Sequence, residues 1–332
     1  MRPFHALTRT GQLRRLRQLA IAALPSFGLG MRRLQLASGS FNAIYRLDAD
    51  DGQRYAVRVH RAGYRTREMV EAEAVFLQAV ARDGRVEVPA PVFAGDGMFT
   101  ALVAYPGVGE RLVSVIRWLP GAPIAERKRV PAIERFGAAI ATLHDVGSAL
   151  GGDATAGLPL ADTLFYDGPV GLLGHAAVRE CPEPHVHDVL ERGMERAEAV
   201  YSHYVRSGRE AIPVHGDLHL YNAQRHRSGR VGVLDFDDSV RCWPEIDLGI
   251  SYFYVAAIHP TDEGEPCWAA LRRGYEQVAE WPVEQTTLQD LAIARQLSIL
   301  NSLLKFDPST LDIEPTAYVA KAAQRIEHWL GS

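Results

Sequence analysis

The chain has 332 residues, with 36 Lys+Arg against 40 Asp+Glu, a formal net charge of -4 and 47% hydrophobic residues; this is a globular composition, not a disordered or fibrous one, and it offers no basic field to nucleic acid or an anionic membrane. Such a length predicts two domains or one large one, with a core that needs neither disulfides nor a structural metal. Only Lys128, Lys305 and Lys321 are lysines, so any mechanism that needs a lysine before position 128 is excluded.

Residues 1–25 read as helix. Arg14, Arg15 and Arg17 ahead of the apolar run 19–24 loosely imitate a signal peptide. The run is too short and no small-residue cleavage pattern follows closely, so an amphipathic helix leading into the domain is expected. No stretch approaches the 18 apolar residues of a membrane span. Cys181, Cys242 and Cys267 are too scattered for a disulfide framework or a zinc site. They fit buried positions in a reducing, cytoplasmic compartment.

Residues 43–48 and 54–60 read as strands joined at Asp51-Gly52, a strong turn pair. Ser38, Gly39, Ser40, Phe41 and Asn42 form a small-residue turn ahead of the first. Residues 67–82 are expected to be a helix with Val70, Ala74 and Leu77 on one side, stopped by the prolines of 88–92. Residues 99–104 and 111–118 suggest a second hairpin around Pro106–Gly109. This order is a small sheet with one helix rather than repeated βαβ units. Beyond Leu119-Pro120-Gly121 the pattern turns helical. Ile133, Phe136, Ile140 and Leu143 share a face in 131–145, with Pro131 at an early helical position. Residues 147–183 read as irregular, 184–207 as helix, 211–238 as short strands and loops, and 245–331 as helices broken near Pro260, Pro282 and Pro308. The expected class is α+β, with a β-rich lobe over 1–118 and a helical lobe over 119–332.

The densest chemistry lies in 214–238. His215, Asp217, His219 and Asn222 fall close together, and Asp235, Asp237 and Asp238 follow the apolar strand 231–234. Phosphoryl transfer needs a carboxylate to orient the attacking hydroxyl and hard oxygen ligands for Mg²⁺. Asp217 suits the first role, Asn222 and Asp235 the second, and Asp237 could serve a second ion. A transition-metal hydrolase using His215 and His219 is a competing reading, although the spacing is not HExxH. A polar surface turn is the third.

His215-Gly216-Asp217, Asn222 and Leu234-Asp235-Phe236-Asp237-Asp238 resemble the catalytic loop and metal-binding strand end of the aminoglycoside phosphotransferase and choline kinase superfamily. The resemblance implies a bilobal protein kinase-like fold, with a small β-rich N-terminal lobe and a larger helical C-terminal lobe. It makes Asp217 the catalytic aspartate, Asn222 and Asp235 the Mg²⁺ ligands, His215 a brace and Asp247 an acceptor behind the loop. Ser38, Gly39, Ser40 and Asn42 resemble the phosphate-covering hairpin, whose backbone N–H groups cradle nucleotide phosphates. The strand 55–60 resembles the one that carries a phosphate-contacting lysine. Here that position is Arg58, which keeps the charge with a bulkier planar fork. Glu73 resembles its ion-pair partner, with Glu71 as competitor. Ile116 to Leu119, including Trp118, resemble the linker that meets a purine edge. His144 is expected to pack or cap a helix end.

The resemblance implies an Mg²⁺-dependent kinase that moves the terminal phosphate of ATP or GTP to a hydroxyl of an aminoglycoside, amino alcohol or sugar. One bacterial branch phosphorylates protein serine or threonine, so a protein acceptor stays open. So does a nucleotide-binding regulator with little turnover. Residues 147–183 and the helices after 245 would line the acceptor pocket, with Tyr166, Asp167, Trp243, Tyr252 and Tyr254 as candidates.

Overall fold

The computed structural model describes residues 3–39, 41–127, 129–226, 229–257, 264–305 and 314–331. Ser40, Pro260 and Pro308 lie outside them. Helix α1 (Arg9–Ala23) opens the first lobe, capped by Thr8, whose hydroxyl accepts from the Gly11 N–H at 3.3 Å. Leu16, Leu19, Ala20 and Ala23 are buried on it. They pack on the sheet beside Tyr45, Leu47, Val57 and Val115. The Tyr45 hydroxyl ties the two by donating to Leu13 O at 2.6 Å.

The sheet contains β1 (Met31–Ser38), β2 (Ala43–Ala49), β3 (Arg54–Val59), β4 (Pro91–Val92), β5 (Thr100–Tyr105) and β6 (Gly109–Arg117). Its order is β1-β2-β3-β6-β4, with β5 also on β6. The hairpin between β2 and β3 turns at Asp51-Gly52, where Gly52 has φ +80. Side chains alternate along β3. Tyr55, Val57 and Val59 enter the core beneath α1, which sends Ala56 and Arg58 to the opposite face and the cleft. Helix α2 (Arg67–Asp83), capped by Thr66 and closed by Gly84 at φ +76, buries Val70, Glu73, Leu77 and Val80.

Strand β7 (Ala122–Pro123) already belongs to the second lobe's sheet. Helix α3 (Val130–Leu150) buries Ile133, Phe136, Ile140 and Leu143 completely, each side chain contributing roughly 1.5–3 kcal/mol. Residues 151–185 carry only short helical turns, among them α4 (Ala176–Arg179). Then follow α5 (Val186–Arg206), β8 (Ile212–Val214), β9 (Ala223–Arg225), β10 (Val231–Val233), β11 (Val240–Cys242) and α6 (Pro244–Tyr252). A π-helical segment, Phe253–Ala257, leads on from α6. Helices α7 (Gly264–Glu276), α8 (Gln285–Lys305) and α9 (Pro315–Leu330) complete the lobe. Helices α3 and α7 cross with almost no gap. A Cβ on Gly137 would lie 1.9 Å from Leu271 O, and one on Gly274 would lie 1.7 Å from Glu134 O. Strand β8 pairs with β11, and β9 lies between β7 and β10. These short strands deliver 215–217, 222 and 234–235 to the cleft between the lobes.

Candidate active site

The loop after β8 is held from behind. Asp247, fully buried, accepts from the backbone N–H groups of His215 at 3.0 Å and Gly216 at 2.9 Å. His215 Nε2 donates to Leu234 O at 2.7 Å, and its Nδ1 accepts from Asp217 N at 3.2 Å. Gly216 sits at φ +79, and a Cβ there would lie 2.1 Å from Asp238 O. Only glycine fits that backbone and that approach.

Asp217 is surrounded by donors. Its Oδ2 accepts from Asn222 Nδ2 at 3.1 Å and faces His219 Nε2 at 3.3 Å. Its Oδ1 accepts from Arg295 Nη2. Burial alone would raise its pKa, but Arg295, His219 and His215 outweigh that and hold it well below the carboxylate range. His219 Nδ1 accepts from the N–H groups of Tyr221 and Asn222. The ring nitrogens of both histidines are therefore occupied, which argues against the transition-metal reading.

Asp235 follows β10 in the left-handed region at φ +62, a conformation that aspartate tolerates better than most residues. Burial raises its pKa, opposed by Arg58 and reinforced by Asp237 and Asp217. Arg58 is only 4% exposed. Its Nη1 lies 2.9 Å from Glu73 Oε1 and 3.1 Å from Asp237 Oδ1, and its Nη2 lies 3.6 Å from Asp235. Burial would lower the guanidinium's pKa, but these three carboxylates raise it. Asn42 donates to Asp237 Oδ2 at 2.6 Å. Asp237 thus has both oxygens on protein donors, and it also lines the larger of the two cavities at the site.

Two cavities meet at this point. One of about 260 Å³ is lined by Ser38, Ala56, Arg58, Ile116, Trp118 and Leu119, together with Asn222 and Asp235. The other, about 390 Å³, draws Phe41, Asn42 and Tyr64 from the first lobe and Tyr166, Asp167, Asp238 and Arg295 from the second. Ser38, Ile44 and Asp235 line both.

Divalent-cation fit can be judged from the charges. The carboxyl groups of Asp217, Asp235, Asp237, Asp238 and Glu73 meet the guanidinium groups of Arg58, Arg65 and Arg295, and burial pushes Asp238 and Glu73 up to about 7. Asn222 uses Nδ2 for its side-chain bonds to Asp217, which leaves its amide oxygen as the atom that could bind a cation. Among the described residues no group of three or more His, Cys, Asp or Glu could hold a metal ion. An Mg²⁺ site suits this arrangement, because Mg²⁺ commonly takes one or two protein carboxylates plus phosphate oxygens and water.

The sequence matches the phosphotransferase enzyme family over residues 32–285. The chain belongs to this family. It is an enzyme of the kinase class. The fold is similar to that of "Amicoumacin kinase hAmiN in complex with AMP-PNP, Ca2+ and Ami", with TM-score 0.73 and 19% identity over 97% of this chain and 96% of that one. It is also similar to a microcompartment-associated aminopropanol kinase, with TM-score 0.70 and 22% identity over 95% and 97%. A putative fructosamine-3-kinase from Thermobifida fusca follows at TM-score 0.57 and 18% identity over 95% and 99%. At such identities the likeness is one of fold. No curated protein sequence matches the chain. Among the described residues no helix is long and apolar enough to cross a membrane.

Within this phosphotransferase, Glu73 rather than Glu71 meets Arg58. Glu71 instead caps β5 by accepting from Phe99 N and Thr100 N at 2.8 and 2.9 Å. Gly39 offers its carbonyl to Arg9 of α1. Asn42 clamps Asp237, while its Oδ1 accepts from Arg61 N at 2.9 Å. His144 lies inside α3, bonded to the Tyr275 hydroxyl at 3.1 Å and 3.4 Å from Asp247. Tyr166 and Asp167 line the larger cavity. Trp243 does not; it stacks on Tyr204 in the core. Tyr252 packs on Trp268, whereas Tyr254 reaches the Asp217 neighbourhood through His219 and Arg295. Sequence reading missed Arg295, Tyr64 and the pocket position of Asp238. The acid pair Asp237-Asp238 was visible, and both line the larger cavity.

Proposed function

We propose that this phosphotransferase moves the terminal phosphate of ATP to a hydroxyl of a small molecule. The smaller cavity takes the nucleotide, with Ile116, Trp118 and Leu119 along the base and Ser38 and Gly39 near the phosphates. Asn222 and Asp235 are the residues that would hold Mg²⁺, whose chemistry is to neutralise phosphate charge. We read Asp237 as a bracket for Arg58, and Arg58 with Glu73 as the frame that sets Asp235. The two lobes divide at Trp118. Asp217 receives the proton of the acceptor hydroxyl. That oxygen bonds to the terminal phosphorus, the bond from phosphorus to the bridging oxygen breaks, and ADP leaves with its electron pair.

The observation that carries this reading is Asp235, one carboxylate shared by an apolar nucleotide-sized cavity and a polar one. The larger cavity pairs Asp167 and Asp238 with Phe41, Tyr64 and Tyr166. Acids beside aromatic rings favour a compact acceptor that carries an amine as well as its hydroxyl. Its volume suits an amino alcohol or a single sugar ring. Thermal shift with ATP, GTP and Mg²⁺ tests the donor, and a transfer panel over aminopropanol, fructosamine and spectinomycin tests the acceptor. No stabilisation by any nucleotide–Mg²⁺ pair would overturn the reading.

A further inference from the structure

Arg295 lies on α8, 78 residues beyond Asp217. Both of its hydrogen bonds among the described residues run through Nη2, to Asp217 Oδ1 and to the Tyr254 hydroxyl, the latter at 3.2 Å. Its carbon Cζ lies 5.5 Å from the Tyr254 ring centroid. Its Nε is buried and has no partner among the described residues. The side chain lines the acceptor-side cavity with Ser298, Ile299 and Ser302, which follow it on the same stripe of α8.

A guanidinium that only neutralises a carboxylate commonly pairs with it through both edges of its fork. Arg295 uses one nitrogen, and Asp217 already has Asn222 and His219 on its other oxygen. A carboxylate offers about four acceptor positions. The contacts of Asn222, His219 and Arg295 take three of them. The open one is on Oδ1, beside Arg295, and an acceptor hydroxyl has to bind there. Resting on the phosphotransfer reading above, we infer that Arg295 is a positioning residue of the acceptor site: it acts through Asp217, fixing Oδ1 where the acceptor hydroxyl arrives. Tyr254 steadies it from behind, linking the π-helical segment after α6 to the catalytic loop.

The test uses the full chain with Mg²⁺-ATP and with aminopropanol, fructosamine and spectinomycin as acceptors, and ATP hydrolysis as the acceptor-free rate. Arg295→Met should lower kcat roughly 100-fold, the scale of a misplaced reacting group. The KM for ATP and the calorimetric Kd for AMP-PNP should stay within about twofold. Arg295→Lys should recover part of the rate, and methylguanidine should restore part of the turnover of Arg295→Ala. A packing role would move Tm without these rescues. Should the Met variant fail to fold, Arg295→Gln and Arg295→Lys carry the same comparison. The inference is overturned if kcat survives within about threefold, or if AMP-PNP affinity falls in step with kcat. If the unaltered protein neither turns over ATP nor binds AMP-PNP, the phosphotransfer reading itself fails and this inference with it.

Discussion

Two arginine–carboxylate clusters face each other across the cleft, and they are built differently. Arg58 is closed in by Glu73, Asp237 and Asp235, with Asn42 sealing the far side of Asp237. Arg295 touches Asp217 and Tyr254 through one nitrogen and borders a cavity. The first is a frame, because a buried charge needs every partner it has. The second has room beside it. A closed cluster sets geometry and an open one leaves a place for substrate.

Removing a member from each side is the direct way to break the comparison. Asp217→Asn should lower phosphate transfer by roughly 10²–10⁴-fold and leave AMP-PNP binding by calorimetry nearly unchanged. If transfer persisted, Asp217 would not be the acceptor-side carboxylate. On the closed side, Arg58→Met strands three carboxylates and should cost about 3–5 kcal/mol of stability in a urea titration. A loss below about 1 kcal/mol would mean that this cluster is no more than a surface-like pair.

Gly216→Ala probes the backbone that joins the two sides. A methyl group 2.1 Å from Asp238 O at φ +79 should cost about 1–3 kcal/mol for the backbone strain alone, seen as a lower Tm with a larger proportional loss of kcat. His60 sharpens the picture of the closed side. It is 3% exposed, bonded to Ser114 Oγ at 2.9 Å, and its Nδ1 is 3.8 Å from Asp237. Burial, aided by Arg58 and Arg65 against Asp237, pushes its pKa down to about 3 from 6.5. The unfolded chain therefore binds a proton that the native state refuses. Stability from this group is complete above pH 6.5 and is lost as pH falls toward 3, at about 1.4 kcal/mol per pH unit. His60→Gln should flatten that part of the urea midpoint against pH. The smallest effect belongs to the rim. Asp167, paired with Lys305 at 3.0 Å with both side chains 32% exposed, should change stability by less than about 1 kcal/mol as Asp167→Asn. The same change should raise the KM of amine-bearing acceptors and leave that of ATP alone.

Much of this layout was legible beforehand. Asp51-Gly52 marks its hairpin because few residue pairs accept that turn. The buried stripe of α3 follows from its spacing, but α2 ends at its Gly84 cap, ahead of the prolines at 89 and 91 expected to stop it. The polar residues after β8 and β10 stand out because acids and amides seldom crowd beside short apolar strands. Asp237 shows the limit of such reading. Its place after Phe236 suggested a metal ligand, and nothing nearby in the sequence announced its bonds to Asn42, 195 residues away, and to Arg58. Trp243 read as a pocket aromatic and is core.

The sequence by itself determined the two-lobe order and the crowding of polar residues at 215, 217, 222 and 235 beside short apolar strands. Those are local: strand period, turn chemistry and spacing along one segment. Tertiary structure decided which charges meet. The Glu73 rather than Glu71 partnership, the Asn42 clamp and the Arg295 contact depend on how α2, the turn before β2 and α8 lie in space. Their partners sit 15, 195 and 78 residues away. Electrostatic attraction over a few ångströms has no period along the chain, so only the packed fold could assign it.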